Sequence, residues 1–278
     1  MSDRGVESAP RRVLLALLRH GEAEGNRELR YLGSGASGEV ALTARGEAQA
    51  RQAAAALARY PLVAIYASPL RRACATAEAL GAATGLEPQP APDLREQDYG
   101  AWEGLTRAEA QARDATLHAA WEAGDDVAPP GGESQGAVHA RMIASADELA
   151  ARHLAPPTPA MPGGVKSAQA PIAGATRSGV ILAESQPIAS ASQTPMIALV
   201  SHVGPIKALL AATLGLGPTE ARRLLSRMWL DPASICVVEW RLLAPATSGS
   251  AAPTDAPRGL LRVFNATDHL NPPPRWRE

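Results

Sequence analysis

Three short runs of unbroken apolar residues constrain this chain more than any other feature: VLLALL at 13–18, VAIYA at 63–67 and MIALV at 196–200. They are too short for buried helices and show no polar alternation, so they read as strands covered on both faces, as in a parallel sheet. A turn and then a helical pattern follow each run, which is the rhythm of a three-layer α/β/α sandwich around a mostly parallel central sheet. Thr43 is placed to cap an alanine-rich helix running to about residue 60. Ser68 and Pro69 read as the N-cap and first-turn proline of a second helix, ended by Gly81 or Gly85. A third is expected over 204–214, stopped by Gly215 and Gly217, and a fourth from Thr219 to about residue 228. Late strands fit 235–240 and 260–264. With 46% hydrophobic but only 4% aromatic residues, the core must be aliphatic and rich in alanine.

The 278 residues suit a single domain spanning 1–278 with two interruptions. Residues 155–195 consist mainly of Ala, Pro, Ser, Gly and Thr, which bury too little apolar area to offset the entropy of ordering. That stretch reads as a disordered insertion, within which GVILA at 179–183 has the pattern of a short edge strand. A smaller insertion of the same kind lies near 244–257, and the proline-rich tail at 272–274 reads as loose. The net charge of −1 is interspersed, so there is no basic stripe for nucleic acid and no charged tail for a membrane surface. Cys74 and Cys236 lack metal-ligand spacing and read as free thiols of a reducing compartment. The run at 13–18 is too short to span a membrane and has no signal-cleavage pattern, so a cytoplasmic location is expected. No self-complementary surface is readable from one sequence, and oligomeric state stays open.

Chemistry concentrates where the three strands end. Arg19-His20-Gly21 follows the first, Ser201-His202 the last, and Ser68-Pro69-Leu70-Arg71-Arg72 the middle one. Ligands of open α/β sheets bind outside the carboxyl ends of the strands, so neighbouring strands would bring both histidines to one crevice. Arginine forks suit a phosphate dianion, and their charge holds a nearby imidazole neutral and nucleophilic. Glu96, just ahead of Tyr99-Gly100-Ala101-Trp102-Glu103-Gly104, supplies a proton carrier, with Glu103 and Glu133 as competitors for that role. The constellation points to attack on phosphorus by an imidazole nitrogen.

These segments resemble the histidine phosphatase superfamily, also called the phosphoglycerate mutase-like family. The resemblance covers 12–243 without the long insertion. It is carried by Leu18 to Glu22 with Asn26, by Ser68-Pro69-Leu70 with Arg72, Ala73, Thr76 and Ala77, by Leu94 through Gly104, by Pro130 through Ser134, and by Ser201-His202. It implies a phosphoglycerate mutase-like fold and hydrolysis of a small phosphomonoester, without metal or other cofactor, through a phosphohistidine. By position it makes His20 the nucleophile and Glu96 the proton donor, with Arg19, Asn26, Arg72 and His202 around the phosphoryl oxygens. Two positions depart from the family: Ala23 stands where Thr is frequent, and Val203 where a small residue is.

Trp-Glu-Gly at 102–104 and Gly-Gly-Glu-Ser at 131–134 are similar to the phosphatase branch. An isomerase of the phosphoglycerate mutase type is the first alternative, but the loop 27–42 lacks the Trp and Phe-Thr-Gly-Trp elements of mutases. A non-enzymatic interaction module using the 155–195 arm is the second, against which stands the full set of catalytic residue types. Specificity is expected from loop 27–42 and a lid at about 103–130, with Arg27 and Arg30 reading a second anionic group. Arg71 reads as a helix-surface residue, Cys74 as core, and Trp102 and Trp121 as lid or core packing. Glu133 suits either a buttress or a helix cap. His118, His139, His153 and His269 read as surface residues.

Overall fold

The computed structural model describes residues 12–154, 194–242 and 257–271, apart from positions 27, 29, 36, 37 and 226. The expected insertion at 155–195 falls outside these but for its last two residues, and that near 244–257 but for its last. The 179–183 strand and the 272–274 tail lie outside them altogether.

The apolar runs become the middle of a six-stranded sheet of order β3-β2-β4-β1-β5-β6. Strands β1 (Arg12–Arg19) and β4 (Met196–Ser201) pair in parallel, in the register Leu14↔Met196 through Arg19↔Ser201. On the far side of β4 lies β2 (Leu62–Ala67), also parallel, and then the short β3 (Pro88–Pro90). Prolines cannot donate to a ladder, so a Pro-Gln-Pro strand belongs at a sheet edge. On the other side of β1, β5 (Ile235–Arg241) and β6 (Gly259–Ala266) run antiparallel.

Successive strand side chains point to opposite faces, so a continuous apolar strand must be covered twice. Val13, Leu15 and Leu17 of β1 meet α5 (Gln135–Ala151) and α6 (Val203–Leu214), with Ala221 of α7 (Pro218–Leu225) at the margin. Leu14, Ala16 and Leu18 face α1 (Ala44–Leu57) and α2 (Arg71–Thr84). Alanines line that second interface, Ala53 and Ala54 from α1 and Ala73 and Ala77 from α2, each almost fully buried. The two short helices α3 (Arg107–Arg113) and α4 (Ala115–Ala123) carry a separate aromatic cluster, with Trp102 and Trp121 buried against Tyr31 and Tyr99.

Helix ends differ from expectation in ways that local chemistry explains. Helix α1 stops at Leu57, because Tyr60 precedes Pro61 and proline disfavours helical geometry in the residue before it. Leu70, not Ser68, caps α2, and Gly85 ends it in a left-handed conformation with φ 75°. Helix α6 begins one residue early, with His202 as its N-cap, and stops at Gly215 as expected. Pro218 opens α7, where its missing N–H costs nothing, and the helix ends at Leu225, short of residue 228.

The start of α1 is pressed against the backbone that follows β1. Thr43 accepts from the Gly46 N–H at 3.0 Å and donates to the Glu22 carboxylate at 2.9 Å. A Cβ at Gly46 would lie 1.9 Å from the Glu22 carbonyl oxygen, and one at Gly21 would lie 2.3 Å from that of Gly46. Gly46→Ala is therefore expected to destabilise the protein by about 3 kcal/mol in urea unfolding, the upper end of overpacking costs. Helix propensity alone gives the opposite sign, a gain of about 1 kcal/mol, so the direction decides between the two accounts.

Candidate active site

Past the last paired residues of β1 and β4 the chain turns, and His20 and His202 come together with ring centroids 5.0 Å apart. Both are buried, at 3% and 0% exposure. The His20 N–H continues the ladder by donating to the Ser201 carbonyl at 3.0 Å, and the His20 carbonyl accepts from the Ala233 N–H. Nδ1 of His20 donates to the Gly21 carbonyl at 2.7 Å, which assigns its proton and leaves the lone pair on Nε2. That lone pair faces Arg72, whose Nε–H donates to it at 3.3 Å. Burial first, then the charges of Arg72 and Arg19, hold the His20 pKa well below the ordinary value.

Arg72 projects from the first turn of α2 and is 1% exposed. Its other donors reach the carbonyls of Leu32 at 3.1 Å, Gly33 at 3.3 Å and Gly38, fastening the loop after β1 over the crevice. Arg19 is anchored by the Leu230 carbonyl at 2.5 Å, while its buried Nε has no protein partner among the described residues. Burial lowers the Arg19 pKa to about 10, against the opposing pull of Glu96 and Asp231, and it remains cationic at neutral pH. Burial likewise lowers that of Arg72.

Glu96 enters from the segment after β3 and is 6% exposed. Its carboxylate accepts from the N–H groups of Gln97 at 2.9 Å and Gly204 at 3.4 Å, the second at the N-terminus of α6. Desolvation dominates and raises its pKa, with those two donors and the charges of Arg72 and Arg141 pulling the other way. A Cβ at Gly204 would lie 2.5 Å from Oε1, so the carboxyl group occupies the space that glycine leaves.

Arg19, His20, Asn26, Arg72 and Glu96 line one cavity of about 150 Å³, with Arg30, Tyr31, Leu32, Tyr99 and Val203 completing its wall. His202 is not among the described lining residues, but its ring lies beside that of His20. Asn26 accepts from the Ala23 N–H at 2.9 Å through its side-chain oxygen, leaving its NH₂ as the donor end. Arg27 lies outside the described residues. Arg30 donates to the Gly104 carbonyl at 2.8 Å and to Glu28 at 2.5 Å, so its charge is already partly offset. Val203 forms part of the cavity wall.

Other motif residues turn out to hold the site in place. Glu22 clamps Thr43, and Thr76 accepts from the Gly21 N–H at 3.2 Å. Glu133 is a buttress, since Ser134 caps α5 and Glu133 instead accepts from Arg95, Arg141 and the Asp98 N–H. Arg141 also donates to the carbonyls of Asp93, Arg95 and Glu96, supporting the whole segment that carries Glu96. Arg141 escapes sequence reasoning, because an arginine on an alanine-rich helix looks like any solvated residue. Ser68, expected as a helix cap, instead faces the second histidine, its hydroxyl 2.8 Å from Nε2 of His202. His118 and His139 are buried, at 5% and 8% exposure, and His153 and His269 are half-buried, so none of the four is a plain surface residue. His118 is taken in by the aromatic cluster, its Nε2 3.1 Å from the Tyr31 hydroxyl. Arg71 is exposed as expected, and Cys74 is half-buried, its thiol donating to the Ser68 carbonyl. Among the described residues no group of three or more His, Cys, Asp or Glu side chains is arranged to hold a metal ion. No helix there is long and apolar enough to cross a membrane.

A buried nucleophile-type imidazole among guanidinium groups at the carboxyl ends of parallel strands agrees with the family match: residues 15–156 fit the histidine phosphatase superfamily (branch 1), and the chain belongs to that family. A glucosyl-3-phosphoglycerate phosphatase of Mycolicibacterium vanbaalenii is 31% identical over 242 residues, covering 82% of this chain and 92% of that one. A bifunctional protein of Mycobacterium tuberculosis is 35% identical over 237 residues, 85% of this chain but 52% of the relative, so the chain spans about half the length of such longer relatives. A 2,3-bisphosphoglycerate-dependent phosphoglycerate mutase of Methylobacterium radiotolerans is 42% identical over 137 residues, 47% of this chain and 63% of that one. The native structure of a mycobacterial glucosyl-3-phosphoglycerate phosphatase superposes with a TM-score of 0.66 at 29% identity, over 92% of this chain and 100% of that one.

The buried histidines make stability depend on pH with a definite sign. Between their depressed folded pKa values and about 6.5 the unfolded chain binds the extra protons, so stability rises with pH there and these rings add no slope above it. Glu96, raised on folding, works in the opposite direction above its ordinary range. Comparing His202→Asn with the parent isolates one ring. From pH 7 to 5.5 the parent's unfolding free energy is expected to fall more steeply, by up to about 1.4 kcal/mol per pH unit. Parallel slopes would show that His202 is not held neutral.

Proposed function

We propose that the protein hydrolyses a small phosphomonoester through a phosphohistidine at His20, without a metal ion. The observation that carries this reading is the His20 ring itself. One nitrogen is tied to the Gly21 carbonyl, and the other faces a cavity with two buried guanidinium groups beside it. In the first step Nε2 attacks phosphorus while the bond to the leaving oxygen breaks. Arg72 frees the lone pair for this attack by exchanging its hydrogen bond on Nε2 for one to a phosphoryl oxygen. Glu96, protonated to a higher pH than an ordinary carboxyl, gives its proton to the departing alkoxide. In the second step the Glu96 carboxylate takes a proton from water, whose oxygen attacks phosphorus as the P–N bond breaks, releasing phosphate and restoring the imidazole. Arg19, Arg72, Asn26 and His202 surround the transferred group, and each well-placed donor contributes about 3 kcal/mol to stabilising the transition state. Together they supply the charge that a magnesium ion provides in other phosphoryl-transfer enzymes.

The relatives' names direct the choice of substrate toward phosphorylated glycerates. Glucosyl-3-phosphoglycerate and 3-phosphoglycerate carry a carboxylate as well as the phosphate, and Arg30 on the cavity wall would read that second anion by exchanging its Glu28 partner for it. Arg30→Ala is then expected to raise KM for a phosphoglycerate about tenfold while leaving p-nitrophenyl phosphate unaffected. The mutase relative supports a second reading, in which the phosphoryl group returns to the substrate. Isomer formation that outpaces phosphate release, with 3-phosphoglycerate and bisphosphoglycerate present, would establish it.

Quenching a turnover mixture of ³²P-labelled substrate in alkaline detergent tests the mechanism directly. The label should stay on the parent protein as an acid-labile, base-stable adduct and be absent from His20→Ala, which should lose essentially all turnover. Glu96→Gln is expected to slow alkyl phosphates by about 100-fold or more, as general acid catalysis does, and p-nitrophenyl phosphate far less, because nitrophenolate leaves without a proton. EDTA should leave the rate unchanged. Equal losses on both leaving groups would remove Glu96 from the proton-transfer role.

A further inference from the structure

The chemistry above needs His202 to offer a hydrogen, and a neutral imidazole has only one to give. Which nitrogen carries it is decided by the partner of the other. Nε2 of His202 lies 2.8 Å from Oγ of Ser68, and Nδ1 is buried with no hydrogen-bond partner among the described residues. Ser68 follows β2, its N–H bound to the Val200 carbonyl at 3.0 Å, so the hydroxyl is held at a fixed point between two strand ends. Oγ has a second neighbour, the Leu70 N–H at 3.3 Å, which can only donate to it.

We infer that Ser68 is a positioning residue that sets the tautomer of His202, donating to Nε2 so that Nδ1 carries the proton and is presented to the phosphoryl group. Counting protons at Oγ supports this. Were Nε2 protonated, Oγ would accept from both Nε2 and Leu70, and the serine proton would be stranded in a site with 0% exposure. Leaving buried polar groups unpaired is costly, and that tautomer strands two, the serine proton and the Nδ1 lone pair. The opposite orientation satisfies Leu70, Ser68 and Nε2 together and leaves only the Nδ1 hydrogen for a ligand. It also puts a donor, not a lone pair, on the nitrogen left for the phosphate. The doubly protonated ring is disfavoured by burial and by the neighbouring Arg72, His20 and Arg19. Ser68 is therefore coupled to the site through its hydrogen bond to His202. The donor role of His202 rests on the proposed phosphatase mechanism, but the tautomer itself does not depend on it.

The ¹⁵N spectrum of the imidazoles at pH 7 reads the tautomer directly, with the His202 signals assigned by their loss in His202→Asn. The parent protein is expected to show protonated Nδ1 and unprotonated Nε2 at His202. Protonated Nε2 would overturn the inference whatever the activity. In Ser68→Ala the His202 signals should move toward the other tautomer and kcat should fall about 100-fold, the loss of one oxyanion donor, with KM changed far less. Ser68→Thr, which keeps a hydroxyl, should restore both. A Ser68→Ala protein with the parental tautomer and parental kcat would also sink the inference. If Ser68→Ala does not fold, the parent spectrum alone still decides. Turnover persisting in His20→Ala would instead sink the proposed mechanism and leave the tautomer result standing.

Discussion

The Arg19↔Ser201 register of the β1–β4 ladder places His20 and His202 one residue beyond the last paired positions of adjacent parallel strands. Neighbouring strands lie about 4.8 Å apart, and the two rings stand 5.0 Å apart, so the spacing of the site is that of the sheet. A slip of one residue would turn every β1 side chain to the opposite face. Large and small residues do not exchange freely here: Leu17 packs toward α5 and α6, Ala16 toward the alanine faces of α1 and α2. Register and layer packing thus specify each other. The distance between two catalytic-type groups follows from the core and not from the loops.

What the fold gathers at that point is electrostatically unfinished. Two guanidinium groups are buried, and burial lowers the pKa of both. Both imidazoles are kept uncharged beside them, and the one carboxyl group lining the cavity is pushed toward its neutral form. Such an arrangement is costly without a counter-charge, and a phosphoryl dianion supplies one. The cost is supported from outside the cavity. Glu22 and Thr43 lock α1 against the turn that carries His20, and the Glu133–Arg141 pair underpins the Glu96 segment. Several family motif residues therefore act as supports, and only a few reach the cavity.

Much of this is legible in the sequence, and the parts that are not have identifiable physical reasons. Continuous apolar runs betray covered strands, so β1, β2 and β4 can be read directly, and with them the histidines after β1 and β4, although β2 leaves Val63 exposed at its start. Strand order is legible only as a condition, that the runs at 13–18 and 196–200 be neighbours, and the structure meets it. Ser68 misleads because Ser followed by Pro carries the local signature of a helix start, while its actual partner lies at a strand end remote in sequence. The buried positions of His118 and His139 escape notice because their partners come from other elements, as with the Tyr31 hydroxyl at His118. Arg141 is invisible for the same reason. Local pattern fixes what an element is, but a long-range hydrogen bond leaves no periodic trace.

The cavity wall is drawn from several elements, with Arg72 from α2, Glu96 and Tyr99 from the segment after β3, and Val203 from α6. Arg19 and His20 issue from the central strand, whereas Asn26, Arg30, Tyr31 and Leu32 belong to the connection between β1 and α1. Loops accept insertion, deletion and substitution far more readily than a doubly covered strand. Grafting a different 26–42 connection onto this sheet would exchange one part of the cavity wall while leaving the part built on the strand ends in place. In this architecture, the choice of molecule and the reaction performed on it are inherited separately.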